Sequence, residues 1–220
     1  WQTMDVWPNE DLNYTSLYLN DDKSLSCEEE TAENCISSYV SDPSAPVPFM
    51  KEASRRDKSY MVADQSFASE REDVITFTGA PQEEVLKLQG PVKVDLNMSI
   101  STDDADVVVK LIDVYPDGYQ MLIRGEVFPV RYRESLDKPK PATHGEVMNV
   151  QFTMNDVAHW VLPGHRLMVQ IQSSWFPLVN MNPQTYMDNI YLAEPEDYTK
   201  AEIKIYHQKN LQSRILLPVI

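Results

Sequence analysis

Between residues 92 and 100 the chain keeps a strict two-residue hydrophobic period. Val92, Val94, Leu96, Met98 and Ile100 alternate with Lys93, Asp95, Asn97 and Ser99. A helix cannot gather that pattern on one face, whereas a strand places every second side chain on the same side. The segment therefore reads as a strand with one dry and one wet face. Met148, Val150, Phe152 and Met154 repeat the pattern, as do Leu167, Val169 and Ile171, and then Ala201, Ile203 and Ile205. Residues 107–114 are almost continuously apolar and read as a central strand. Residues 119–130 are long enough for a bent strand, with Gly125 as its bulge.

Further strands are expected at 2–7, 14–19 and 38–41. Residues 81–88 and 155–161 each have room for one or two helical turns, but no segment carries a helical apolar stripe over three turns. Turn signals separate the runs: Gly90-Pro91, Asp103-Asp104, Pro116-Asp117-Gly118, Pro163-Gly164 and Asn182-Pro183. Many strands without crossover helices predict an all-β fold, a jelly-roll β-sandwich of two antiparallel sheets. A single domain over 1–220 is expected, with 1–73 a loop-rich opening segment and 74–220 the regular sandwich. The run Asp42-Pro43-Ser44-Ala45-Pro46-Val47-Pro48 belongs to the opening segment, because proline lacks a ladder donor.

Charge narrows the function. The net charge is -15, of which residues 1–75 carry -10. Such a chain repels a phosphate backbone and an anionic membrane face, so neither nucleic acid nor membrane is an expected partner. The six glycines, at 79, 90, 118, 125, 145 and 164, exclude more. None is followed two positions later by Ser, so no G-x-S-x-G nucleophile elbow exists. Their spacing also excludes a dinucleotide fingerprint and a P-loop. The chain starts at Trp1, which suits a processed or excised piece of a longer protein.

Several constellations admit two readings. His144, His159, His165 and His207 form no H-E-x-x-H and no close sequence pair with Cys, so they read as turn or core-edge residues and no metal is expected. Asp103, Asp104 and Asp106 suit either a loop Ca²⁺ site or a solvated turn capped by Asp104, and the turn is preferred. Ser135 and Lys138 match S-x-x-K by chance, because this lysine should be wet. Cys27 and Cys35 would close a small disulfide worth about 2–3 kcal/mol, or remain thiols. The bond is preferred, and with it a periplasmic or extracellular location. Trp1, Trp7, Trp160, Trp175 and Phe176 either form a sugar-binding platform or fill a core or domain interface. Trp175, Phe176, Leu178 and Val179 end a strand as a cluster too apolar for a loop in water, and are expected to touch another domain.

A set of longer motifs narrows the reading further. It comprises Tyr39-Val40-Ser41-Asp42-Pro43, Met61-Val62-Ala63-Asp64-Gln65-Ser66-Phe67-Ala68 and the run from Thr102 to Gly118. Arg131-Tyr132-Arg133, Gly164-His165-Arg166 and Ser173-Ser174-Trp175-Phe176-Pro177 complete it. The set resembles the C-terminal domain of the X-Pro dipeptidyl-peptidase superfamily of serine hydrolases, which includes cocaine esterase, α-amino acid ester hydrolases and glutaryl-cephalosporin-acylase-like enzymes. The resemblance implies a galactose-binding-domain-like jelly roll that packs on the protein's own N-terminal α/β-hydrolase domain. It places the Ser, Asp and His triad in that other domain, so no catalytic residue is assigned here. It further implies that Phe49 and Met50 help wall a cleft for a small ester or amide substrate. The implied acyl transfer through a seryl intermediate needs no cofactor. A carbohydrate-binding jelly roll is the alternative.

Overall fold

The computed structural model describes residues 3, 5–8, 12–29, 31–52 and 58–220. Among them, eleven strands dominate: β1 (Asn13–Leu19), β2 (Ser24–Ser26), β3 (Ile36–Ser41), β4 (Ile75–Gly79), β5 (Leu86–Ile100), β6 (Asp106–Val114), β7 (Gln120–Pro129), β8 (Met148–Val161), β9 (Arg166–Gln172), β10 (Ala201–Tyr206) and β11 (Arg214–Val219). Helix is confined to the four-residue α1 (Ser66–Ser69) and short 3₁₀ turns such as Lys58–Val62. The all-β class is the expected one.

The alternating strand at 92–100 is the spine of the first layer. β8 pairs along one edge of β5, from Leu86↔Val161 to Met98↔Met148. The other edge is shared. β11 takes Leu88 to Asp95, and β10 takes Asn97 to Ile100. β10 and β11 therefore lie end to end along β5, and β3 and β1 extend them outward. The second layer is antiparallel in the order β4-β9-β6-β7. The layers are not two separate sheets as expected. β2 pairs with β1 and, through two parallel residue pairs, with β4, so one hydrogen-bonded path runs through both. The opening segment thus supplies three strands to the sheet, followed by the 3₁₀ turn Lys58–Val62 and by α1.

Several local expectations change. Of residues 2–7, positions 5–7 form a bend, and Gln2 and Met4 lie outside the described residues. Residues 86–88 and 155–161 are strand rather than helix. Gly90-Pro91 does not end a strand. It lies within β5, where Gly90 takes φ +126° and the pairing with β8 shifts just beyond it. The bulge in β7 falls at Ile123, between the pairs Leu111↔Arg124 and Ile112↔Leu122, not at Gly125.

The apolar face of β5 meets those of β6 and β9 in the interior. Leu96, Met98, Val109, Leu111, Val169 and Ile171 are all buried there. Phe128 of β7 stacks on Phe152 of β8, with ring centroids 4.9 Å apart, and closes the flank. At one end Asp113 spans the layers. Its Oδ2 meets His159 Nε2 of β8 and its Oδ1 meets His165 Nδ1, each at 2.8 Å.

β6 is buried on its other face too. Val108 and Ile112 join Leu122, Met168, Phe49 and Trp175 in a second apolar cluster outside the sandwich core. This explains the continuously apolar sequence of β6. Gly125, opposite Lys110, leaves room for that cluster: a Cβ there would lie 2.7 Å from Trp175 Cη2. Gly125→Ala is expected to lower stability by about 1–3 kcal/mol through overpacking. Urea unfolding reads this directly, and an undisturbed midpoint would mean that Trp175 is loosely held.

Candidate functional site: the covered face of the second layer

Two segments singled out in the sequence, 47–50 and 174–178, meet here although the whole sandwich separates them in the chain. Phe176 N donates to Val47 O at 3.0 Å and Phe49 N donates to Phe176 O at 2.9 Å. Ser174 Oγ accepts from Val47 N at 2.8 Å. Residues 58–62 complete the cover. Tyr60 packs edge-on against both Phe49 and Trp175, at 5.7 and 6.1 Å between centroids.

Phe49 and Trp175 are therefore buried in the domain's own cluster. β6 needs its outer face filled, and these two fill it. Met50 is half-buried against the same cluster. Phe176 and Leu178 remain exposed, as do Met61 and Val62 on the neighbouring turn.

A lysine lies beneath this cover. Lys110 is fully buried on β6, and its Nζ donates to Gln65 Oε1 at 2.9 Å. Burial pushes its pKa down to about 7. The Trp175 ring, 5.2 Å from Nζ, offers a face that favours the cation. Gln65 is equally buried and uses each of its polar groups. Its N donates to Gln120 O, its Nε2 to Ala63 O, and its carbonyl accepts from Gln170 Nε2.

A second polar group flanks the cover. Asp104 is not a solvated turn cap but fully buried. Its Oδ2 accepts from Arg131 Nε at 2.9 Å, from Arg131 Nη2, and from Asn182 Nδ2 at 3.0 Å. The same Asn182 amide donates to Asp106 Oδ1 at 2.9 Å. Burial, reinforced by the charge of Asp104 and opposed by the Asn182 bond, pushes the Asp106 carboxyl up to about 6. Asp106, Arg131 and Asn182 floor a cleft of about 400 Å³ whose walls include Tyr132, Val179 and Tyr191. Sequence spacing gave no sign of this group, because its partners come from three distant segments.

The remaining expectations resolve as follows. Cys27 is exposed and Cys35 buried, and they form no disulfide: the sheet draws Cys35 to its inner side while Cys27 stays on the loop surface. The sugar platform does not assemble, since Trp175 is buried, Trp7 and Trp160 are exposed, and Trp1 lies outside the described residues. The S-x-x-K stretch is surface, with Leu136 fully open to water. Ser37 Oγ stands 2.8 Å from His207 Nε2, a spacing that serves nucleophile activation elsewhere. Both are buried, and Ser37 also accepts from the Lys23 ammonium, so no carbonyl substrate can approach the pair.

The family described as X-Pro dipeptidyl-peptidase C-terminal non-catalytic domain matches residues 1–216. The chain belongs to this family. It is 31% identical over 229 residues to cocaine esterase of Rhodococcus sp. (strain MB1 Bresler), covering all of this chain and 40% of that protein. The structure of an aminopeptidase from a marine sediment Thaumarchaeota archaeon superposes with a TM-score of 0.94 at 37% identity, over all of this chain and 39% of that one. An α-amino acid ester hydrolase superposes at 0.90 with 41% identity, over 94% of this chain and 36% of its own. The chain thus spans about two-fifths of the length of these relatives, consistent with a domain attached to a larger catalytic part.

Asp106 gives the non-catalytic domain a definite pH signature. Its folded pKa of about 6 exceeds the ordinary 3.8. Between those values the folded state holds a proton that the unfolded state has lost, so stability falls as pH rises through that window. Asp106→Asn keeps the acceptor for Asn182 and removes the ionisation. The variant is expected to be more stable at pH 7.5 by up to about 3 kcal/mol, with the gain vanishing below pH ~4. Urea titrations at several pH values test this. A gain that does not vary with pH would refute the assignment.

Proposed function

We propose that this domain braces the α/β-hydrolase domain of its own protein and walls one side of the cleft in which a small ester or amide is cleaved. The observation that carries the reading is the covered outer face of β6. Folding has already sealed that face with Phe49, Tyr60 and Trp175. Yet the cover presents a further apolar layer to water, formed by Phe176, Leu178, Met61 and Val62. Exposed apolar side chains on a rigid, hydrogen-bonded support suit a docking face. Met50, half in and half out of the cluster, is the residue proposed to reach the substrate side.

The chemistry in this reading is acyl transfer through a serine supplied by the partner domain. The non-catalytic domain contributes position and exclusion of water, which are worth large factors when they hold reactants in place. A carbohydrate-binding role lacks support from the aromatic residues, because the strongest platform residue, Trp175, is inside.

In the full-length protein, Phe176→Asp combined with Leu178→Asp is expected to lower kcat/KM at least about tenfold, or about 1.4 kcal/mol in transition-state stabilisation. It should also split one melting transition into two as the domains uncouple. Unchanged kinetics and a single transition would count against docking through this face. The 220-residue domain alone should not turn over a chromogenic short-chain ester, and measurable turnover would place a nucleophile here after all.

A further inference from the structure

One end of the sandwich gathers three side chains that the hydrolase reading leaves without a role. Cys35 immediately precedes β3 and His207 immediately follows β10, in strands that pair Ile36 with Tyr206. The ladder continues one step further, where His207 N donates to Cys35 O at 3.0 Å. Opposed residues of an antiparallel pair project to the same face, with Cβ atoms about 4.5–5.5 Å apart. Here that face is the interior, and both side chains are buried. Asp21, exposed on the turn between β1 and β2, completes the group. One carboxylate oxygen, the Cys35 Sγ and one ring nitrogen of His207 all lie within 4.8 Å of one another.

We propose that Asp21, Cys35 and His207 bind a divalent metal ion of the zinc class, which pins the β1–β2 turn to the β3–β10 ladder. A thiolate, an imidazole and a carboxylate are the donor types that zinc takes. A tetrahedral ion with bonds of about 2.0–2.3 Å needs its ligand atoms about 3.3–3.7 Å apart. The three atoms, all within 4.8 Å of one another, stand at most about 1–1.5 Å outside this range, and the exposed Asp21 side chain is the one with room to move. The other two ligands are held in place by the ladder, so the ordering cost falls mainly on one short side chain.

The surroundings fit. Ser37 Oγ, 2.8 Å from His207 Nε2, occupies the outer position that usually orients a ligating histidine, and the ion is then taken at Nδ1. The Phe77 ring meets His207 edge-on at 5.9 Å and gives the site an apolar floor. Thiolate and carboxylate together neutralise the ion, and the Cys35 proton leaves to solvent on binding. The Lys23 ammonium stands nearby but bonds Ser37, one bond further out. Three protein ligands leave the fourth position to water at the open, Asp21 side.

Cobalt is the probe. The reduced full-length protein, titrated with Co²⁺, is expected to develop a thiolate-to-cobalt charge-transfer band and the intense visible bands of a tetrahedral ion. One equivalent should saturate them, and one equivalent of Zn²⁺ should displace them. Cys35→Ser and His207→Gln should abolish the bands, Asp21→Asn should weaken binding at least tenfold, and Cys27→Ser should leave them intact. Zn²⁺ should raise the melting temperature of the parent but not of Cys35→Ser. If variants fail to fold, the parent spectrum decides alone: no thiolate band at saturating Co²⁺ overturns the proposal. A band of unchanged amplitude in Cys35→Ser overturns it equally.

Discussion

Everything in this domain turns on β6 being dry on both faces. A strand in an ordinary sandwich needs one neighbour layer. β6 has that on its Val107, Val109 and Leu111 side, and it needs a second on its Val108 and Ile112 side. No further sheet supplies it. Among the described residues the cover is instead drawn from residues 47–50 and 58–65 and from the stretch after β9. Loops rarely bury a strand well, because their own backbone groups need partners. Here the partners are supplied by mutual bonds between the two segments and by the side chain of Ser174. The irregularity of the cover is thus a consequence of its task.

The polar residues under the cover follow from the same constraint. An all-apolar outer face would hold the cover in many registers with similar energy. Lys110 and Gln170 instead offer directional bonds that Gln65 meets from above. Leaving a buried amide or ammonium unpaired costs about 1–3 kcal/mol or more, so the bonds disfavour a displaced cover. The Asp104–Arg131–Asn182 group acts likewise on the later segment, tying it to the turn before β6. These bonds are what fix the cover in one register.

Legibility in the sequence followed the range of the interactions. Two-residue alternation is local, so β5, β9 and β10 could be read directly. β8 was readable only in its first half. Met154, Val157 and Val161 are spaced as on a helix, because the register shift against Pro91 and Lys93 inserts one residue and switches faces. Gly125 was recognised as special for the wrong reason, since the aromatic ring above it belongs to a residue fifty positions on. The segment 175–179 stands out by its apolar content, but content does not tell which of Trp175 and Phe176 points inward. Pairs such as Cys35 with His207, or Asp104 with Arg131, leave no spacing to detect. They exist only once the sheet has closed.

The histidines are mostly spent on structure, in keeping with a family described as non-catalytic. Acyl transfer needs an imidazole that can approach a nucleophile and then a leaving group. His159 and His165 are both committed to Asp113, one on each oxygen, and together they join β6, β8 and the turn after β8 at one end of the sandwich. His207 is sealed beneath β3 and β10. His144 is exposed on a turn beside Gly145. Each imidazole able to act as a base is therefore either structural or solitary. Two of the four thus hold the layers together, as the covering segments hold the outer face of β6.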